Sequence, residues 1–363
     1  MEQYSDLCEK CGRVPEEIEN PHCSICGEAP VKEKTKHYFF KLKNFSDKLS
    51  EYLGGNQNLQ KDVKKYVQNW IEEGLIDWDI TRDISWGVPV PGVNDKVFYG
   101  WFDNHLAYIS SAVKFLSDNG KDGKKFWNES DIYHFIGKDI VYHHYLFLPA
   151  MRLGIGGEYK LPDYIPTRGH LTLQAKKISK SRNWYIGLKD FLQIFPADYL
   201  RFYLVSINPY SQDDLNFDWD EFATKINSEL IGNLGNLVNR ALGFTVKTFD
   251  SIVPDPEEFD DIDKESEKAI KDLGSEVGVL MEQNHLDRAL KKILQFSAHF
   301  NQYFQHKEPW KKSHGTGSCV YLSVNPVRSL AIAIYPFLPK SSQKIWVQLG
   351  MDGDVSAKSF DEI

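Results

Sequence analysis

Four cysteines in the first 26 residues constrain this chain more than any other feature. Cys8 and Cys11 form one C-x2-C pair and Cys23 and Cys26 another, giving C-x2-C-x11-C-x2-C. A glycine follows the second cysteine of each pair, Gly12 and Gly27, as a tight turn requires. Zinc takes four soft ligands at tetrahedral corners, and two such turns supply them. The segment has too little apolar sequence to fold without a metal. Residues 1–36 are therefore expected to be a knuckle around one structural Zn2+, followed by a Lys-rich link. The alternative is two pairs of reduced, unliganded thiols. Met1 to Asp6 has neither the basic flank nor the apolar stretch of a signal peptide. No run approaches the ~18 apolar residues of a membrane span. A cytoplasmic protein with no membrane partner is expected, a setting in which such pairs are rarely disulfides. Cys319 stands alone and reads as a small buried apolar residue.

Beyond the link, the pattern is α/β and then all-α. Residues 37–76 read as a strand and one helix, with Leu59, Val63, Tyr66, Val67, Trp70 and Ile71 on one face and Gly74 at its end. Residues 77–165 alternate strands and helices. The clearest unit is a strand at Ile132–Ile136, a turn at Gly137-Lys138-Asp139, and a helix to about Leu153. Strand, glycine turn and helix build a doubly wound sheet, which binds ligands at the carboxyl ends of its strands. Gly137 and Asp139 fall at that edge; an ordinary βα turn is the equal alternative. Residues 166–220 hold a strand at Gly169–Leu173, a Lys/Ser-rich loop, and a helix entering at Asp198. From residue 221 to 363 the pattern is helical. One apolar stripe runs through Phe222, Ile226, Leu230, Leu234, Leu237, Val238 and Ala241, another through Leu286, Leu290, Ile293, Ser297, Phe300 and Phe304. Pro254–Asp263 reads as an acidic loop between helices.

The loop Ala175-Lys-Lys-Ile-Ser-Lys-Ser-Arg182 concentrates cations and hydroxyls. Such a loop suits a polyphosphate, because positioned ammonium groups stabilise charge that builds on a phosphoryl centre and its leaving group. Taken alone, it is more often a solvated surface. The net charge of −8 does not advertise a nucleic-acid binder, although an acidic protein can be basic locally.

Several separated segments, in order, resemble the methionyl-tRNA synthetase family of class I. Lys177-Ile178-Ser179-Lys180-Ser181 resembles its KMSKS signature, with Ile for Met. Asp77-Trp-Asp-Ile-Thr-Arg-Asp83 resembles DWDISRD, and Val97-Phe-Tyr-Gly-Trp-Phe-Asp103 resembles the run before the amino-acid pocket. His134-Phe-Ile-Gly-Lys-Asp-Ile-Val-Tyr-His-His144 resembles HFIGKDI. Asn20-Pro-His-Cys-Ser-Ile-Cys26 looks like the connective insertion of the archaeal and eukaryotic branch. Asn236-Leu-Val-Asn-Arg240 and Lys307-Glu-Pro-Trp310 resemble the family's two anticodon segments.

The resemblance implies a class I Rossmann-type catalytic domain, here its second half, with a zinc-knuckle insertion and an all-α anticodon-binding bundle. It divides the chain into the knuckle at 1–36, the catalytic part at 37–165, the KMSKS loop and stem-contact region at 166–220, and the bundle at 221–363. It implies ATP-dependent activation of methionine and its transfer to methionine tRNA, with ATP and Mg2+ as substrate. Lys177 and Lys180 are then the phosphate contacts, Lys180 most directly in the transition state, and Ser179 and Ser181 shape the loop. Gly137 and Asp139 meet the ribose, and Arg82 orients methionine. Trp101, Tyr108 and His144 line the methionine pocket, where aromatic walls suit a thioether. Core packing is the plain alternative for Trp101 and Tyr108, and a buried, hydrogen-bonded imidazole is the equal alternative for His144. Asn236 and Arg240, read as exposed, hydrogen-bond splayed bases, and Pro309 aims Trp310 to stack on one; without the resemblance, a helix-terminal Trp capping the bundle is the favoured reading.

Two positions depart from the pattern. Asn104-His105 stands where the bacterial family has Ala-Pro, and His143 where an aromatic residue is common. The chain also has no His-x-Gly-His, the family's HIGH signature; Thr167-Arg-Gly-His170 is the nearest string and sits in the wrong place. The expectation is a portion of the enzyme, inactive alone, or one half of a split enzyme partnered by a separate HIGH-containing chain. Two other functions stay open: a class I synthetase for Ile, Val or Leu, which Trp86-Gly-Val-Pro-Val-Pro91 suggests and the missing editing insertion opposes, and a non-catalytic tRNA-binding module.

Overall fold

The computed structural model describes residues 20–22, 27–31, 34–180, 182–311 and 314–363. Cys8, Cys11, Cys23, Cys26 and Ser181 lie outside the described residues. The chain forms two compact units, one up to Thr167 and the other from Arg168.

In the first unit, residues 37–76 form two helices where the spacing suggested one. Helix α1 spans Ser46–Gly55 and buries Leu49 and Leu53; α2 spans Lys61–Glu73 and buries Val63, Val67 and Ile71. The charged face of α1 and its closing Gly54-Gly55 hid a short i, i+4 apolar pair. Leu59 is buried in the turn ahead of α2. Gly74 ends α2 at φ 104°, a conformation that favours glycine. Both helices pack on a core with Leu42, Val141, Tyr145, Leu146, Ala150 and Ile165.

The strands of this unit are short. Phe39–Phe40 pairs antiparallel with Trp78–Asp79, and Thr81–Arg82 with Val97–Phe98. A one-turn helix α3 at Gly100–Asp103, α4 at Ala107–Asp118 and α5 at Gly123–Glu129 follow. The segment 132–136 alternates as a strand should: His134 and Ile136 are buried, Tyr133 and Phe135 exposed. It runs parallel to residues 164–166, with His134 and Ile136 N–H donating to the Tyr164 and Pro166 carbonyls at 2.9 and 3.0 Å. The ladders are shorter than the expected doubly wound sheet, because Tyr133 and Phe135 have no further strand beside them among the described residues. Gly137 leads through a 3-10 turn at Lys138–Ile140 and a π-helical turn at His143–Phe147 into α6, Leu148–Gly154. Pro149 has no N–H for the Tyr145 carbonyl, which favours the wider turn ahead of it.

In the second unit, Leu171–Leu173 pairs parallel with Leu215–Phe217 and antiparallel with Lys176–Lys177. Gly169 passes so close to the Asp213 carbonyl that a Cβ there would overlap it. Helices α7, Leu188–Ile194, and α8, Ala197–Ser206, precede α9 at Trp219–Lys225. Asp218 caps α9 by accepting from the Asp220 and Glu221 N–H groups. A π-helical stretch at Ile226–Gly235 continues into α10, Asn236–Thr248. Then come α11, Asp261–Glu282; α12, Leu286–Lys307; α13, Thr316–Ile334; and α14, Pro339–Gln348. The acidic loop is shorter than expected. Asp260 and Asp263 form a reciprocal capping box, so the helix already begins at Asp261. Both apolar stripes face one core, which also takes in Leu173, Phe191, Phe202 and Phe217. Helix α13 is, contrary to the expectation from apolar runs, long and apolar enough to cross a membrane, but 78% of its most apolar 18-residue stretch is buried inside the unit, as a core helix is. Cys319 on α13 is buried, and burial pushes its thiol up to about 12.

Candidate functional site

The first unit gathers an aromatic and imidazole cluster around three of the expected pocket residues. Trp101 stands on α3, exposed on one side, with its ring 4.9 Å from His143 and 5.8 Å from His105. Tyr108, on the first turn of α4, lies edge-on to His134 at 4.7 Å. His144 is buried on the π-helical turn and bonded at both ends. Its Nδ1 is 3.0 Å from the Ile140 carbonyl and its Nε2 3.1 Å from the Tyr108 hydroxyl. A carbonyl only accepts, so Nδ1 carries the proton and the Tyr108 O–H donates to Nε2.

The two departures from the family pattern meet here. His105 is buried, stacks on His143 at 5.3 Å and 7°, and donates from Nδ1 to the Trp101 carbonyl at 2.5 Å. Asn104 points to solvent. His105 and His134 are thus pocket-cluster members that sequence reading left unassigned. The signal for His134 was its place in HFIGKDI; for His105 it was the departure itself.

All four imidazoles are held neutral. Burial depresses His134 to about 3, helped by repulsion from the Arg152 guanidinium and from His144 and His105 whenever those rings are protonated. Burial, then His105 and His144, lowers His143 to about 4. Burial also takes His144 to about 4 against the hydrogen bond to Ile140, and lowers His105. Neutral rings give a wall that is polarizable but uncharged, suited to an apolar side chain carrying a soft atom. Among the described residues no group of three or more His, Cys, Asp or Glu is arranged to hold a metal.

Arg82 sits on the strand paired with Val97–Phe98. Its guanidinium lies 3.7 Å over the Tyr99 ring and donates to Asp79 Oδ2 at 3.1 Å and the Thr81 carbonyl at 2.6 Å. Tyr99 and Asp79, its holders, were not singled out from sequence. Gly137 is half-buried and Asp139 exposed, at the strand end where the βα turn was expected.

The Lys/Ser loop belongs to the second unit. Gln174 and Ala175, with φ 50° and 57°, make a two-residue hairpin turn between Leu171–Leu173 and Lys176–Lys177. The Ala175 N–H donates to Asn216 Oδ1 at 2.6 Å, tying that turn down. Ser179 and Trp184 then exchange both backbone hydrogen bonds at 2.9 Å, and Asn183 N–H reaches the Lys180 carbonyl at 3.1 Å. A closed loop therefore carries Lys180 and Arg182 at its tip, with Lys177 and Lys180 both exposed. Trp184 anchors it by donating from Nε1 to the Leu173 carbonyl at 3.0 Å.

In the same unit, α10 sets Asn236 and Arg240 against α12, and the 3-10 turn Pro309–Lys311 that follows α12 carries Trp310. Asn236 and Arg240 are half-buried where the sequence suggested exposure, because α12 presents polar groups to them. Asn236 Nδ2 donates to Asn301 Oδ1 at 2.8 Å, and Arg240 Nη2 to Gln305 Oε1 at 2.9 Å. Arg240, Asn301, Gln302, Gln305 and His306 line an open depression of about 560 Å³. Beneath it, Phe304 lies 4.9 Å from the Arg240 guanidinium and 6.3 Å from the Trp310 ring. Pro309 is buried and Trp310 is 43% exposed. Asn301 and Gln305, four apart on α12, match the spacing of Asn236 and Arg240, a signal the sequence carried unread.

This fold is shared with solved class I tRNA synthetases. The chain superposes on the Mycobacterium tuberculosis methionyl-tRNA synthetase in complex with methionyl-adenylate with a TM-score of 0.81 and 29% identity, over 91% of this chain and 66% of that one. For the apo form of that enzyme the TM-score is 0.78 at 27% identity, over 91% of this chain and 66% of that one. It belongs to the family described as tRNA synthetases class I (M), whose model matches residues 1–242. The methionine--tRNA ligase of Methanopyrus kandleri is 42% identical over 367 residues, 98% of this chain and 54% of the relative. That of Pyrococcus furiosus is 40% identical over 385 residues, 99% of this chain and 53% of the relative. The chain spans about half the length of the curated relatives it matches.

Proposed function

We propose that this chain is a portion of a methionine--tRNA ligase, which activates methionine with ATP to methionyl-adenylate and transfers it to methionine tRNA. The observation that carries the reading is 42% identity to such a ligase over 98% of this chain. The pocket cluster and the cationic loop are consistent with it. Relatives named for methionine disfavour the Ile, Val or Leu reading.

Within that reading, Lys177 and Lys180 meet the ATP phosphates, with Mg2+ as the nucleotide's counter-ion. Their ammonium groups act on charge that grows on the α-phosphate and pyrophosphate as the carboxylate attacks. Ser179 and Ser181 shape the loop, Gly137 and Asp139 take the ribose, and Arg82 orients the amino acid. Trp101, Tyr108 and His144, with His105 and His143 behind Trp101, enclose the thioether. Asn236, Arg240 and Trp310 bind anticodon bases. Cys8, Cys11, Cys23 and Cys26 supply four thiolates, the donor set of a structural zinc.

The test is methionine-dependent ATP–pyrophosphate exchange by the complete protein to which this chain corresponds, with isoleucine, valine and leucine as controls. Exchange only with methionine supports the reading, and exchange with another of these amino acids refutes it. A complete protein that binds methionine tRNA without exchange would be a binding module.

A further inference from the structure

We propose that Lys307 is a positioning residue, locking the end of α12 so that Trp310 is presented to a base, and that it makes no contact with tRNA itself. The inference rests on the anticodon reading of this surface. A lysine three residues before a base-stacking tryptophan invites assignment as a phosphate contact, but its ammonium is already engaged. Nζ lies 2.6 Å from Asp260 Oδ2 and 2.7 Å from Asp263 Oδ1, and the side chain is only 13% exposed. Asp263 is 2% exposed and also accepts from the Tyr303 hydroxyl at 2.7 Å. These two aspartates are the capping box that opens α11, so one ammonium joins the start of α11 to the end of α12. Two adjacent carboxylates need a cation between them, since a buried unpaired charge is costly. Burial opposes the charged lysine, yet the bonds to Asp260 and Asp263 outweigh it and raise its pKa.

The next residue shows what the lock is for. Glu308 adopts a left-handed conformation, φ 43° and ψ 54°, uncommon for a residue with a side chain and typical of a helix end. That turn seats Pro309 in the core and swings Trp310 toward Phe304. Lys307 thus fixes the last turn of α12, from which the Glu308 turn carries the chain to Trp310.

The experiment compares the 363-residue chain with its Lys307→Met and Lys307→Arg variants. The probes are a methionine tRNA transcript and the same transcript with a swapped anticodon. In parallel, 5-fluorotryptophan labelling reads the Trp310 resonance without tRNA, assigned through Trp310→Phe. Expected for Lys307→Met are a shifted or broadened Trp310 resonance and about tenfold weaker binding of the CAU transcript. Binding of the swapped transcript and the salt slope should not change, and Lys307→Arg should restore much of the loss. An unmoved resonance overturns the inference. So does equal weakening of both transcripts with a salt slope smaller by about one, the mark of a lost phosphate contact. Should Lys307→Met not fold, Asp260→Asn, at an exposed partner, takes its place with the same expected shift, and an unmoved resonance there overturns it equally. Wild-type chain that binds both transcripts alike refutes the anticodon reading and leaves the resonance to judge the positioning role.

Discussion

The imidazoles of His105 and His143 lie face to face, 5.3 Å between centroids and 7° between planes. These are the two positions where the chain departs from the pocket pattern of its family, and they touch each other. The two departures share one contact, and Trp101 rests against both rings. A double-mutant cycle on thermal stability checks this. His105→Ala and His143→Ala should each destabilise the first unit, and the double variant should lose about 0.5–1.5 kcal/mol less than their sum, the range for paired rings. Additive losses would show that the stack contributes nothing.

The neutral histidines make the first unit acid-sensitive. His143 and His144 fall from 6.5 to about 4 on folding, and His134 to about 3, so the unfolded chain binds more protons between these values. Stability from their burial is complete above about pH 6.5 and is lost as pH falls toward 4. Melting of the first unit between pH 7.5 and 4.5 should show a steady drop below pH 6.5, smaller in His143→Phe. A melting temperature independent of pH across that range would contradict the assignment.

Lys180 stands at the tip of the loop closed by Ser179 and Trp184. In the complete enzyme, Lys180→Ala should slow adenylate formation far more than it weakens methionine binding, because the charge it meets exists mainly in the transition state. Pre-steady-state measurement of adenylate formation reads this directly. Unchanged turnover with only a raised methionine KM would remove the residue from catalysis.

Cys8, Cys11, Cys23 and Cys26 should together hold one zinc. Metal analysis of purified chain is expected to give about one zinc per chain. Cys23→Ala should lower that content while the helical second unit keeps its melting transition. A content clearly below one in the wild type would refute the site.

Much of this was legible because periodicity survives translation into helices. Val63, Val67 and Ile71, and the stripes of α9–α10 and α12, are buried as their spacing indicates. What escaped was contact between distant segments. Ser46–Gly55 shows too little apolar sequence to announce a helix, and its two leucines matter only because they join a core that includes Leu42 and Ile165. Asn236 and Arg240 read as exposed because nothing local says that Asn301 and Gln305, over sixty residues away, will meet them. Lys307 likewise looks free until α11 folds beside it. The Lys/Ser loop was found by composition, but the positive φ of Gln174 and Ala175 that sharpens its entry carried no glycine to mark it.

Binding of tRNA by the 363-residue chain and its Trp310→Ala variant tests the central claim most directly. Titrations use methionine tRNA transcript and an anticodon-swapped control at one fixed salt concentration. Trp310 is half-exposed beside Phe304, which leaves part of its ring accessible to a base. The wild-type chain is expected to prefer the CAU transcript, and Trp310→Ala to lose roughly 1–3 kcal/mol for that transcript, as the loss of one stacked base implies. Affinity for the control should barely move. Equal binding of the two transcripts by the wild-type chain, or a Trp310→Ala variant that binds the CAU transcript as well as wild type, would contradict the account.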